Sequence, residues 1–344
     1  MVVEAEHVPW SVAWERAAYG AHGFYTTGAA ARIGPSAFFR TSVHVGAVFH
    51  GAMAGLLLEV DARLDRPAAL DLVDVGAGRG ELLEGVIASL PDDVVARLRP
   101  YAVDVHDGPP DLDPLITWIV GAAPDAVPAR VHGLVLAHEW LDDVPLDVVA
   151  LDERRRPRLV LVDGTGEEQL GPRLDDDAAW SAWGLDAAAA REWIAQWWPA
   201  AGREPGERVE IGSTRDDAWR SVVARLDAGT ALAVDYGHLR AARPYRGTLV
   251  GHARDGRVRG PAPDPDSNLT AHVAVDAVAT AVSARVTRQR EALARLGVTS
   301  YLPEAADAAR DPQAYAEALV AASDAAELLD PAGLGGFHWI RVDR

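Results

Sequence analysis

Short apolar runs alternate along the chain with longer stretches in which apolar residues recur at helical spacing. The clearest run is Leu70-Asp71-Leu72-Val73-Asp74-Val75, rich in β-branched residues, which breaks into glycines at Gly76, Gly78 and Gly80 before a helical period resumes at Leu82, Leu83, Val86 and Ile87. A buried parallel strand, a tight turn and a helix are predicted. Further strands are expected over 101–105, 116–120, 131–137, 158–164 and 231–235, with a return to the sheet near 209–211 and a terminal strand within 335–342. Helical periods run over 8–19, 45–64, 218–226, 287–296 and 312–329, and a Trp-rich helical insert over 175–198. Strands alternating with helices argue for an α/β protein with a doubly wound, mostly parallel sheet. Two loop stretches, 23–28 and 33–42, are aromatic, hydroxyl-rich and punctuated by glycine, and are expected to form a lid over a ligand.

The glycine turn narrows the choice of ligand. A dinucleotide fingerprint needs its third glycine at position 81, which is Glu81, and a phosphate-binding P-loop needs a lysine, which this chain lacks altogether. The remaining pattern, acid-x-Gly-x-Gly-x-Gly over Asp74, Gly76, Gly78 and Gly80, is similar to that of S-adenosylmethionine-dependent methyltransferases. That ligand carries an amino acid end, whose ammonium group suits an acid at the strand terminus. Asp104 closes the next strand roughly 20 residues further on, the spacing at which an acid reaches ribose hydroxyls. Beyond the third strand, Gly121-Ala122-Ala123 leaves room for an adenine ring.

Composition removes other classes. The chain has 344 residues, 49% of them hydrophobic, which is ample for a core. No apolar run is long enough to span a membrane and no export signal opens the sequence, so a cytoplasmic protein is expected. Without cysteine or lysine there is no thiolate nucleophile, disulfide or Schiff base. A net charge of -18 opposes nucleic-acid binding.

Candidate chemistry gathers at two strand ends. The fourth strand runs into His138-Glu139-Trp140-Leu141-Asp142-Asp143, where three carboxylates are expected to create a negative pocket, and the fifth ends in Asp235-Tyr236-Gly237-His238. His44, His138, His238 and His272 lie on separate loops without the local spacing of a metal motif, so no metal is expected.

Taken together, the motifs resemble the MidA-like family of class I methyltransferases. The similarity rests on the Phe24-Tyr25-Thr26-Thr27 loop, Asp74 to Gly80, Ala137 to Pro145, Asp235 to His238, Asn268-Leu269-Thr270-Ala271-His272-Val273 and the Gly335-Gly336-Phe337 ending. Three places depart from that family's pattern: its entrance-loop Thr-Ala/Ser-Pro-Glu is Thr41-Ser42-Val43-His44, the Asn of its Asn-Glu is His138, and the Asp of its Asp-Leu-Thr is Asn268. The resemblance implies a Rossmann-like fold with an N-terminal lid and a helical insertion. Four stretches follow: helix and lid over 1–44, the first part of the cofactor core over 45–164, the Trp-rich insert over 165–205, and the rest of the core over 206–344. It also implies methyl transfer to a protein arginine, with Asp74, Gly76, Gly78, Gly80, Asp104 and the entrance-loop Thr41 holding the cofactor.

A guanidinium acceptor stays protonated at neutral pH and needs carboxylates to hold it and share its proton, a role that falls to Glu139 and Asp235. His238, or His138, would serve as base for a hydroxyl or carboxylate acceptor. Two alternatives stand beside the protein substrate: a small-molecule O- or N-methyltransferase, and an assembly factor that binds the cofactor with weakened turnover. Pairing as a homodimer is left open.

Overall fold

The computed structural model describes residues 6–27, 40–198, 203–253 and 257–344. By internal contacts the chain divides into two compact units, each assembled from separated segments. One unit comprises 40–140, 222–236 and 284–344, and the other 1–39, 141–221 and 237–283. The expected stretches 45–164 and 206–344 therefore each contribute to both units.

The first unit is built on a seven-stranded sheet. Its strands in chain order are β1 (Leu70–Val75), β2 (Leu98–Asp104), β3 (Thr117–Val120), β4 (Val131–His138), β5 (Leu226–Asp235), β6 (Arg285–Arg288) and β7 (His338–Asp343). Across the sheet they lie in the order β6-β7-β5-β4-β1-β2-β3. All pairs from β5 to β3 are parallel, whereas β7 runs antiparallel to both β5 and β6, so the sheet is mixed at one edge. The order reverses between β1 and β4, and in such sheets ligands bind outside the carboxyl ends of the strands at that point.

Period-two alternation explains the burial of this sheet. Leu70, Leu72, Leu134, Leu136, Leu232 and Val234 pack into one core with helices α1 (Ala47–Arg63), α2 (Glu81–Ala88) and α3 (Pro312–Leu329). The alternate residues Val73, Val75, Val135, Ala231 and Ala233 are buried as well, as in a strand covered on both faces. Asp71, inside the apolar run, is buried: its Oδ2 accepts the His132 N–H at 2.8 Å, and Arg99 Nε forms an ion pair with Oδ1 at 2.8 Å. Helix α3 begins on an N-cap Asp311 whose side chain accepts the Ala314 N–H, with Pro312 in the first turn where its missing donor costs nothing.

The other unit carries sheets of its own, which corrects two expectations. Pro157–Val162 and Arg208–Ile211, expected in the central sheet, belong to a separate five-stranded sheet with Val8–Pro9, Asp147–Leu151 and Glu168–Arg173. Its neighbouring strands are antiparallel. Accordingly the first expected helix starts later, at Trp10, because Val8 and Pro9 pair with Val162 and Leu161. Likewise the helix expected over 287–296 opens as strand β6, and only Gln289–Arg295 is helical. The insert forms two short helices, Asp177–Ser181 and Ala187–Trp197, each capped by an aspartate, with Trp180, Trp193 and Trp198 buried in a common core. Of the lid, 28–39 lies outside the described residues. Among the described residues no helix is long and apolar enough to cross a membrane.

Candidate active site

The turn after β1 needs glycine for its backbone. Gly76, Gly78 and Gly80 have φ of 72°, 60° and 86°, the left-handed region that a side chain resists. Gly80 caps the N-terminus of α2. The close approach at two of these positions comes from the protein itself: a Cβ on Gly76 would stand 3.0 Å from Trp140 Cδ1, and one on Gly80 would stand 2.6 Å from Leu112 Cδ1. Trp140 and Leu112 thus form walls beside the turn that sequence pattern did not single out.

Asp104 ties this turn to β2. Its Oδ2 accepts the Gly78 N–H at 2.9 Å and its Oδ1 accepts the Val105 N–H at 2.7 Å, while Gly76 N–H and Ala77 N–H donate to the Val103 carbonyl at 3.0 and 3.2 Å. His106 Nε2 lies 3.5 Å from Oδ1. Burial raises the Asp104 carboxyl above the usual aspartate range, opposed first by His106 and then by these N–H donors.

Asp74 is only 3% exposed and has no ion-pair partner among the described residues. Its carboxyl is held well above the ordinary range by burial, then by the charges of Asp104 and Glu81. Such a group is costly in the free protein, and a cation entering beside it would offset that cost.

Thr41, expected in the cofactor set, is buried and caps the short helix Ser42–Val45. His44 completes a capping box with it: the Thr41 N–H donates to His44 Nδ1 at 3.3 Å, and Thr41 Oγ1 lies 3.0 Å from the same nitrogen. A capping box normally uses Thr-x-x-Glu, so the histidine at the glutamate position keeps the cap. Burial lowers the His44 pKa, which favours the neutral ring that can accept this bond.

Glu139 and Asp235 come together at adjacent strand ends. Val234 pairs with His138, and each acid is the next residue along its strand; the Glu139 N–H donates to the Val234 carbonyl at 2.8 Å. Glu139 has φ of 48°, an uncommon conformation for a residue with a side chain. Asp235 is 1% exposed and its Oδ1 accepts the Tyr236 N–H at 2.8 Å.

His138 stands beside this pair, its ring edge-on to Phe49 at 5.2 Å and its Nδ1 3.6 Å from Glu139 Oε1. Burial, then His44, push its pKa down to about 3, so the ring is neutral, and Nε2 makes no hydrogen bond to any described residue.

Three expected contributors fall in the other unit. His238 is held on one side, with Arg243 Nη1 2.8 Å from its Nδ1, Arg243 paired with Asp276 at 2.6 Å and Trp198 edge-on at 5.6 Å, while its buried Nε2 has no hydrogen-bond partner among the described residues. Burial first and Arg243 second push the His238 pKa down to about 3. Asp143 is hydrogen-bonded by the Tyr25 hydroxyl, and Asn268 Nδ2 donates to its other oxygen at 3.2 Å. The Asp142 carbonyl accepts from Arg215 at 2.6 Å. Of the acids expected to form a negative pocket, Glu139 belongs to one unit and Asp142 and Asp143 to the other, and both Asp143 oxygens are engaged in internal bonds. Among the described residues no group of three or more His, Asp or Glu could hold a metal ion.

Comparison with known proteins bears on this arrangement. Residues 52–292 match the Methyltransf_28 family, whose members are described as S-adenosyl-L-methionine-dependent methyltransferases. A COG1565 superfamily member from Burkholderia thailandensis, crystallised with S-adenosyl-homocysteine, superposes with a TM-score of 0.75 at 24% identity, over 98% of this chain and 88% of that one. A native structure of a COG1565 superfamily protein from the same organism gives 0.72 at 24% identity, over 98% and 87%. No curated protein matches the chain.

Proposed function

The chain belongs to the Methyltransf_28 family of S-adenosyl-L-methionine-dependent methyltransferases, and from that premise we propose that it methylates a protein side chain, the guanidinium of an arginine. The finer assignment follows the MidA-like resemblance of the sequence. The observation that carries it is that two acids, Glu139 and Asp235, directly follow the Val234–His138 pair at the ends of neighbouring parallel strands, the first of which lies beside the strand that leads into the glycine turn.

In this reading the turn through Gly76, Gly78 and Gly80 receives the cofactor, Asp74 faces its ammonium end and Asp104 its ribose, with Thr41 shaping the entrance. The fit to this chain lies in Asp74, a buried acid without a cation, and in three glycines held at positive φ. When bound, the cofactor's sulfonium supplies an activated methyl group for in-line displacement. The protein's part is orientation, dryness and proton management. Glu139 and Asp235 hold the protonated guanidinium by charge-assisted bonds and draw its proton away as the nitrogen becomes nucleophilic.

A second reading, transfer to a hydroxyl or carboxylate of a small molecule, is favoured by His138, whose neutral ring keeps an Nε2 without a hydrogen bond among the described residues. Incubation of the protein with a cell extract and isotope-labelled cofactor, followed by mass spectrometry, separates the two. Label on arginine residues supports the first and label only in the small-molecule fraction supports the second. With an acceptor in hand, Glu139→Gln keeps shape and removes charge. It is expected to leave cofactor affinity unchanged and to lower kcat at least about tenfold, a loss of about 1.4 kcal/mol in the transition state. Full turnover in that variant would move the proton-handling role to His138.

A further inference from the structure

A cleft of about 250 Å3 opens in the second unit among the helices Ala187–Trp197, Ser213–Val223 and Val275–Ala281. Its lining includes Trp193, Trp197, Glu192, Asp216, Asp217 and Arg220. Asp216 is 6% exposed; Oδ2 accepts the Trp193 indole N–H at 2.8 Å, and Oδ1 is buried without a hydrogen-bond partner among the described residues. An acceptor left in that state costs free energy, and its residue is among those that line a space large enough for a small ligand.

We propose that this cleft is a binding site for a primary alkylammonium group, which enters against Asp216 Oδ1 with its alkyl chain along the Trp193 and Trp197 rings. Three acids and one arginine line the cleft, so it has a negative balance, and Arg220 is engaged by Asp217. Only one oxygen of Asp216 is without a partner. That disfavours the two-pronged fork of a guanidinium and suits the compact point charge of an ammonium, which indole faces also attract. The chain contains no lysine, so no side chain of its own can supply such a group. The occupant comes from outside, either as a free amine or as a lysine of a partner protein. Burial holds the Asp216 carboxyl at about 7, and an ammonium beside it would lower that value again. This site is independent of the methyl-transfer reading.

The Trp193 indole N–H, hydrogen-bonded to the carboxylate in question, is a direct reporter. Titration of the full chain with n-butylammonium chloride and, separately, with a lysine-containing peptide, each at ionic strength matched with sodium chloride, is expected to shift the Trp193 indole resonance saturably. A tighter response to the amine identifies a free ligand, and a tighter response to the peptide identifies a partner's lysine. Asp216→Asn, which can still accept the indole bond, should weaken binding at least tenfold, and Arg220→Gln should tighten it by removing a competing cation. The proposal is overturned if neither ligand shifts the resonance beyond the salt control, if the asparagine variant binds equally well, or if Arg220→Gln weakens binding. Cofactor affinity measured on the same samples should not change, which verifies that each variant is folded.

Discussion

Two groups of acids stand after the central strands, and they are treated in opposite ways. Around the glycine turn, burial and then the charges of Asp104 and Glu81 raise the Asp74 carboxyl, and no cation among the described residues pairs with it. Around Asp143, the Tyr25 hydroxyl and the Asn268 amide satisfy both carboxylate oxygens. Burial is near complete in both places and pushes both carboxyls upward, so burial alone does not mark a ligand site. The difference lies in whether the protein supplies the partner. Asp74 has no cation of its own among the described residues, whereas Asp143, like Asp104, has both oxygens bonded internally.

That contrast can be broken most forcefully at Gly78. A valine there would have to adopt φ near 60° with a β-branched side chain at the turn, and is expected to weaken S-adenosyl-homocysteine binding more than about a hundredfold by calorimetry. Unchanged affinity would remove the turn from the cofactor site. Next in size is Asp104→Ala, which removes charge-assisted bonds contributing about 1.5 to 3 kcal/mol and should weaken binding roughly ten- to a hundredfold. Because Asp104 also anchors the Gly78 N–H, a 2′-deoxyribose analogue is the sharper probe. It should lose affinity for the wild type and little more for the variant.

The satisfied group predicts a different failure. Tyr25→Phe leaves a buried carboxylate short of one donor and should cost about 1 to 3 kcal/mol of stability, read by denaturant unfolding, with cofactor affinity unchanged. A drop in affinity without a drop in stability would erase the distinction between the two groups. The smallest effect is in pH dependence. The folded protein holds the Asp74 proton more tightly than the unfolded chain does, so stability without ligand should fall as pH rises above the ordinary aspartate value of about 3.9. Asp74→Asn should flatten that slope, and saturating cofactor should flatten it in the wild type.

The strand, turn and helix over 70–88 were legible because the apolar run, the glycines and the resumed period all point the same way, and α3 was legible from its Asp-Pro start and unbroken period. Sheet membership was not. Asp147–Leu151 is short and gave no alternation, and Glu168–Arg173 is a mostly polar strand whose one large apolar residue, Leu170, is exposed. Pairing partners far apart in sequence decide which sheet a strand joins, and no local pattern encodes them. In the candidate site the acids were readable as residue types at strand ends. Their partners were not: nothing in the sequence distinguishes Asp143, held by Tyr25, from Asp74, held by no cation. The histidine in the entrance loop illustrates the same limit, since its role as the capping residue for Thr41 needs the helix start to be known.

The backbone at Glu139 has one more implication. A residue with a Cβ held at φ 48° gives up stability that glycine, or in part asparagine, would recover. In a population of variants selected for heat resistance alone, position 139 offers the same kind of gain as Asp65, Arg66, Arg155 and Ser283, which also have positive φ, but under the proposed role it is where turnover would be surrendered. Selection that retains the glutamate would mean that the chain is being filtered for chemistry and not only for endurance.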